Sequence, residues 1–201
     1  MRDNVQMTRM STRPWFGPLM GLVTFVVVLV GAGALAGVSD WAIRNAEMSD
    51  LLSRVEVSEA AMSAVQDDIA RITVEYEQLP APDDADKAAL TSQLQEAAAE
   101  GRDAVAQAGQ GVAALPILPW HSQLRQAQDD YLAHNVAWQE HLDRAATDPT
   151  EFMQPQELIN STFEQAEVSM RAALPAPAVS GLLDRVGRIF APVPMEGQQA
   201  A

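Results

Sequence analysis

Residues 41–79 read WAIRNAEMSDLLSRVEVSEAAMSAVQDDIARITVEYEQL. Trp41, Met48, Val55, Met62, Ile69 and Tyr76 recur every seven residues. Leu51, Val65, Ile72 and Leu79 stand three positions after members of that series, and Arg44 and Ser58 are its gaps. A heptad of this length describes a helix with one apolar seam. Charged residues fill the other faces: Glu47, Asp50, Arg54, Glu56, Glu59, Asp67, Asp68, Arg71 and Glu75. No proline interrupts the stretch. The seam is satisfied either by the chain's own later helices or by a second copy in a parallel coiled coil. Met48, Met62 and Tyr76 at one heptad position are not the aliphatic choice of a tight dimeric zipper, which favours packing within the chain.

Upstream, Pro14 to Ser39 is a run of 26 residues without a charge, centred on Leu19–Val30. About 20 helical residues cross a bilayer core of about 30 Å. Trp15 and Trp41 flank the run, where indole rings favour the membrane interface. Arg2, Arg9 and Arg13 precede it and Asp40 follows. The positive-inside rule then puts residues 1–14 in the cytoplasm, a span at 15–38, and the rest outside the cytoplasm in a cell membrane, single-pass. The rival reading is a secretory signal cleaved after Ala34-Leu35-Ala36. The length of the run and its tryptophans favour a retained anchor, and both readings export residues 40–201. A helix continuing from Trp15 to Leu79 would measure about 97 Å at 1.5 Å per residue.

Pro80-Ala81-Pro82 ends that helix, and Asp83 or Asp84 can cap the next. The second helix carries the stripe Leu90, Leu94, Ala97, Gly101, Val105, Ala108, Val112 and Leu115. It is thin in large side chains and suits close packing. After Pro116-Ile117-Leu118-Pro119, a third helix to about Ala146 places Trp120, Leu124, Ala127, Tyr131, His134, Trp138 and His141 on one stripe, with Leu132, Val136 and Leu142 beside it. Asp148-Pro149 reads as cap and first position of a fourth helix running to about Leu174, with Phe152, Ile159, Phe163, Ala166, Met170 and Ala173 inward. Pro175 and Pro177 close it. Val179–Phe190 is a short amphipathic stretch whose apolar face is Val179, Leu182, Leu183, Val186, Ile189 and Phe190, and the tail from Ala191 lacks a pattern. The expected architecture is all-α: a membrane helix continued into an antiparallel bundle of about four helices over 40–174, then a proline-bounded helix and tail over 175–201.

Net charge is −14 over 201 residues, with +2 on residues 1–39 and −16 beyond. Such a domain repels phosphate, so nucleic acid is not an expected partner. No cysteine is present, which removes disulfides and thiolate chemistry. Abundant alanine and arginine with a single lysine, Lys87, make a GC-rich bacterial source the expectation by association.

Histidines are the first place to look for chemistry. His134 and His141 are seven apart, about 10.5 Å of rise, too far to share one metal ion without help from another helix. His121 reads as a capping or surface residue. Asp67-Asp68, Asp83-Asp84-x-Asp86 and Asp129-Asp130 lack calcium-loop spacing. Gly109-Gln110-Gly111 lies inside a helical stripe, and no G-x-S-x-G occurs. No catalytic residue, metal site or cofactor is expected.

These features favour a non-enzymatic protein whose helical domain binds a protein partner or itself, as accessory subunit or envelope scaffold. Tyr131, His134, Trp138 and His141 are the candidate contact face, with Leu182, Leu183, Val186 and Phe190 as a second. Packing of each face against the chain's own helices is the competing reading. The alternative function is an extracytoplasmic ligand-sensing bundle acting through a partner, because the roughly 13 residues before the span are too few for an output domain.

Overall fold

The computed structural model describes residues 16–176 and 181–191, with side chains described from residue 25 onward. Trp15, the three leading arginines, Val179 and the tail beyond Ala191 fall outside the described residues. Among those described there are five α-helices and no strand: α1 (Phe16–Glu77), α2 (Asp84–Ala113), α3 (Ser122–Thr147), α4 (Glu157–Ala173) and α5 (Leu182–Ile189), with a 3-10 turn at Pro149–Met153 before α4. The chain divides into two compact units, 1–43 and 44–201.

In the first unit, α1 exposes Phe25, Val26, Val27, Val28, Leu29, Val30, Leu35 and Val38. Unbroken apolar exposure on every side of a helix is unfavourable in water. The helix is long and apolar enough here to cross a membrane.

In the second unit, the α1 seam is buried by the chain itself. Met48, Leu51, Val55, Met62, Val65 and Ile72 are all buried, while Ile69 and Tyr76 are half-buried and Leu79 is exposed. Leu52, outside the heptad, is fully buried as well. Intramolecular packing therefore accounts for the heptad from Met48 to Ile72.

The other helices begin and end where local chemistry requires. Asp83 accepts from the backbone N–H groups of Ala85 and Asp86, and Asp86 accepts in return from the backbone N–H of Asp83. This capping box satisfies three donors at the start of α2. Asp148 caps the turn at Pro149 through Thr150 N–H, but the turn does not grow into α4. Pro155 has no N–H to give and disfavours the helical region for the residue before it. Gln154 is accordingly extended, with φ −83° and ψ 151°. The fourth helix thus starts at Glu157 rather than at Pro149. Before α5, Gly181 adopts φ +97°, a conformation suited to glycine.

Paired contacts run in opposite order along successive helices. From α1 to α2, Arg54 meets Gly111 and Val65 meets Gly101. From α2 to α3, Val112 meets Gln128, Val105 meets Asn135, Arg102 meets Asp143 and Gln95 meets Thr147. From α3 to α4, Asp130 meets Ser169, His134 meets Thr162 and His141 meets Gln156, the residue just before α4. Arg44 ties the start of this unit together by donating to Gln123 on α3 and to the Ala173 carbonyl of α4.

Candidate functional site: a polar layer inside the core

The apolar interior is in two parts. One is built from Met48, Leu51, Leu52, Val55, Val112, Leu124, Tyr131, Ala166 and Met170, among others, and α5 adds Leu182, Val186 and Phe190. The other contains Met62, Val65, Val105, Ala137, Trp138, Leu142 and Ile159. Between them, each of the first four helices contributes a small or polar residue at the same level. These are Ser58 and Glu59 on α1, Gly109 on α2, His134 and Asn135 on α3, and Thr162 on α4.

Two hydrogen-bond systems make up this layer. In the first, Asn135 Nδ2 donates to Ser58 Oγ at 3.0 Å and to the Val105 carbonyl at 3.1 Å. Gln139 Nε2 donates to Asn135 Oδ1 at 2.6 Å. Asn135 occupies the space where a side chain on residue 109 would stand, since a Cβ there would lie 2.7 Å from Asn135 Cγ. Gly109 is thus the residue that admits the amide. In the second, the Tyr131 hydroxyl donates to Glu59 Oε1 at 2.8 Å. His134 Nε2 lies 3.8 Å from the same oxygen. His134 Nδ1 faces Thr162 Oγ1 at 3.2 Å. The threonine hydroxyl donates to the Leu158 carbonyl at 2.8 Å, so its oxygen accepts and the histidine proton is assigned to Nδ1.

Burial sets the charge states. Desolvation holds the His134 imidazole down at about 4, against a weaker opposing pull from the Ile159 carbonyl. The ring is neutral at pH 7 and its Nε2 lone pair is free to accept. Desolvation pushes the Glu59 carboxyl up, opposed by the Tyr131 hydrogen bond. Tyr131 is pushed far above its ordinary range by burial first and by the Glu59 charge second. Burial thus favours the neutral form of the imidazole, the carboxyl and the phenol alike.

A second buried pair joins α1 to the turn before α3. Glu47 accepts from the Leu118 backbone N–H at 3.0 Å and pairs with His121 Nδ1 at 2.5 Å. His121 is thus buried at 5% exposure and forms no side-chain cap on α3, correcting its reading as a surface or capping residue. Trp120, expected on the inner stripe, precedes α3 and is 66% exposed.

The eight expected contact residues fall mostly inside. Tyr131 is fully buried, and His134, Trp138 and His141 are 2%, 6% and 4% exposed. His141 sits between the rings of Trp138 and Phe152, at 6.1 and 5.7 Å. Leu182, Val186 and Phe190 are buried too, and Leu183 alone of the eight stays at the surface. The broad α3 face exists, but it is turned toward α1, α2 and α4 and is not an open contact surface. Helix α5 is likewise docked: Arg185 makes a two-pronged contact with Glu56 at 2.9 and 2.8 Å and donates to Ser49 and Ser53.

Nothing in the spacing of Ser58, Glu59, Asn135 and Thr162 marks them as a group. Ser58 carried a signal as a polar gap in an apolar series, and Gly109 carried another as a glycine inside a helical stripe. Among the described residues, no three side chains of metal-ligating type come together.

Comparison with protein-family models, with curated proteins and with solved structures finds no match for this chain.

Proposed function

We propose that this chain is a single-pass membrane protein, N-terminus in the cytoplasm, whose antiparallel helical bundle lies outside the cytoplasm and binds another protein without catalysing a reaction. The observation that carries the reading is α1, which contains both an apolar stretch suited to a bilayer and the seam around which the other helices pack. A domain built on the continuation of its own anchor is held at a membrane, the arrangement of an accessory subunit or scaffold. The opposed order of helix contacts supports the bundle. The arginines at positions 2, 9 and 13 support the orientation through the positive-inside rule. The strongly acidic surface of residues 40–201 favours protein over nucleic acid as partner.

The test is purification of the C-terminally tagged full chain from its native membranes in mild detergent, with mass spectrometry of what is retained. A stoichiometric companion and an intact N-terminus support the reading. Recovery of the chain alone, or an N-terminus beginning after Ala36, removes the complex or the anchor respectively.

A further inference from the structure

Three hollows follow one another along the seam between α1 and α2. The first, about 390 Å3, is lined by Arg54, Val57, Ala61, Ala104, Ala108 and Gly111 with Gln107. The second, about 460 Å3, shares Ala61 and Ala104 with the first and adds Ala64, Val65, Ala97 and Gly101 as its floor. The third, about 200 Å3, shares Ile72, Glu75 and Gln93 with the second and ends at Leu79 and Leu90. Shared walls make them one groove. Along α1 it runs from Arg54 to Tyr76, about 33 Å at 1.5 Å per residue, the length of a helix of about 22 residues, and it ends beside Leu79 just past the helix.

The floor is alanine and glycine, so a helix laid there could approach closely. Exposed apolar side chains mark both ends: Val57 is 64% exposed and Leu79 is 40% exposed. The rim is acidic on its α2 side, where Asp86, Glu96 and Glu100 stand with no cation among the lining residues; on the α1 side Asp68 and Glu75 stand with Arg54 and Arg71 and the charge is balanced. Arg71 is already bound to Asp68 at 3.0 Å and Glu75 at 3.3 Å. Arg54 is turned to the Gly111 carbonyl.

Resting on the binding role just described, we propose that this groove is the docking surface and that its occupant is a basic amphipathic helix of the partner. Its apolar stripe would cover the alanine floor, with lysine or arginine on the flank that meets the acidic α2 rim. A second copy of this chain would bring a domain of net charge −16 over residues 40–201 against this rim, which like-charge repulsion disfavours.

The test uses the full chain in phosphatidylcholine nanodiscs, with empty nanodiscs as the blank. The probe is a fluorescent helical peptide of about 22 residues, leucine and alanine on one stripe and lysine on one flank, and its counterpart with glutamate for lysine. Saturable binding of the lysine peptide is expected, weakening as salt rises from about 50 to 300 mM because the rim is exposed. Ala97→Leu, which puts a larger side chain into the floor, should weaken it about tenfold. Glu96→Gln with Glu100→Gln should weaken it at least about threefold without disturbing the fold, which keeps the test valid should Ala97→Leu unfold. Val168→Ser, on an exposed face of α4, should change nothing. The proposal is overturned by equal binding of the glutamate peptide, by wild-type binding in the double glutamine variant, or by sedimentation showing a dimer that Ala97→Leu disperses. Loss of peptide binding while a companion still co-purifies would sink the groove and leave the interaction role standing. Peptide binding with no companion would do the reverse.

Discussion

The Tyr131 hydroxyl reaches from α3 to Glu59 on α1, 72 positions earlier in the chain, and donates to its Oε1 at 2.8 Å. A partly buried carboxylate is thereby given a neutral donor rather than a cation. Removing that donor leaves the charge undersolvated. Tyr131→Phe should destabilise the domain by about 1–3 kcal/mol, read as a lower urea midpoint at pH 7. Glu59→Gln keeps an acceptor for Tyr131 and removes the charge, so it should cost less than Tyr131→Phe. A Glu59→Gln variant as unstable as Tyr131→Phe would mean that the carboxylate itself is favourable where it stands.

The same layer predicts how stability depends on pH. His134 titrates near 6.5 when unfolded and at about 4 when folded, so its contribution is complete above pH 6.5 and is lost as pH falls toward 4. At 1.36 kcal/mol per unit this is about 3 kcal/mol. His141, also held down by burial, acts in the same direction. Glu59 opposes them: its carboxyl is raised, so acidification through its folded pKa toward 4.5 adds stability. The wild type should therefore lose stability between pH 6.5 and 4, His134→Gln should flatten that loss, and Glu59→Gln should steepen it. Urea midpoints at half-unit steps measure all three. An unchanged slope in His134→Gln would show that the imidazole is not held neutral.

Glycines in α2 should respond to alanine in opposite ways. At Gly109 a Cβ would stand 2.7 Å from Asn135 Cγ, and at Gly101 it would stand 2.6 Å from a Val65 methyl. Both neighbours are packed, so Gly109→Ala and Gly101→Ala should cost about 1–3 kcal/mol. At Gly111 the nearest atom is Arg54 Nη1 at 3.9 Å, and Gly111→Ala should stabilise by up to about 1 kcal/mol through helix propensity. Thermal melts of the three variants make the comparison. Similar shifts in all three would mean that backbone propensity, not contact, decides.

Helix α5 should come loose by itself. Its eight residues are too few to stand alone, and Arg185 joins it to Glu56, Ser49 and Ser53 on α1. In Arg185→Ala, amide exchange over residues 182–189 should quicken while α3 keeps its protection. Equal loss of protection in α3 would show that α5 belongs to the global folding unit.

Periodicity made the α1 seam legible, and prolines made the breaks legible. The burial of Met48, Val55, Met62 and Val65 follows from spacing alone. Direction did not follow. An apolar face on α3 is equally suited to a partner or to the chain's own helices, and only the packed structure assigns Tyr131, His134, Trp138 and His141 to the interior. Polar contacts were harder still. Glu47 and His121 are 74 positions apart, and neither residue type announces a partner at that distance. Pro155 was the signal that α4 starts late, since it follows Pro149 too closely for one helix to hold both.

A heptad repeat has a weakness: each seven-residue step along α1 offers its neighbours nearly the same apolar edge. Displaced by one repeat, Met62 would take the place of Val55 and little in the hydrophobic match would object. Ser58 and Glu59 forbid that displacement, because Val65 and Gln66 would then face Asn135 and Tyr131, with no serine hydroxyl for the amide. The layer marks the zero on an otherwise repeating scale. A seven-residue deletion that removes this mark should leave helices that still collapse but no longer agree on where to stop.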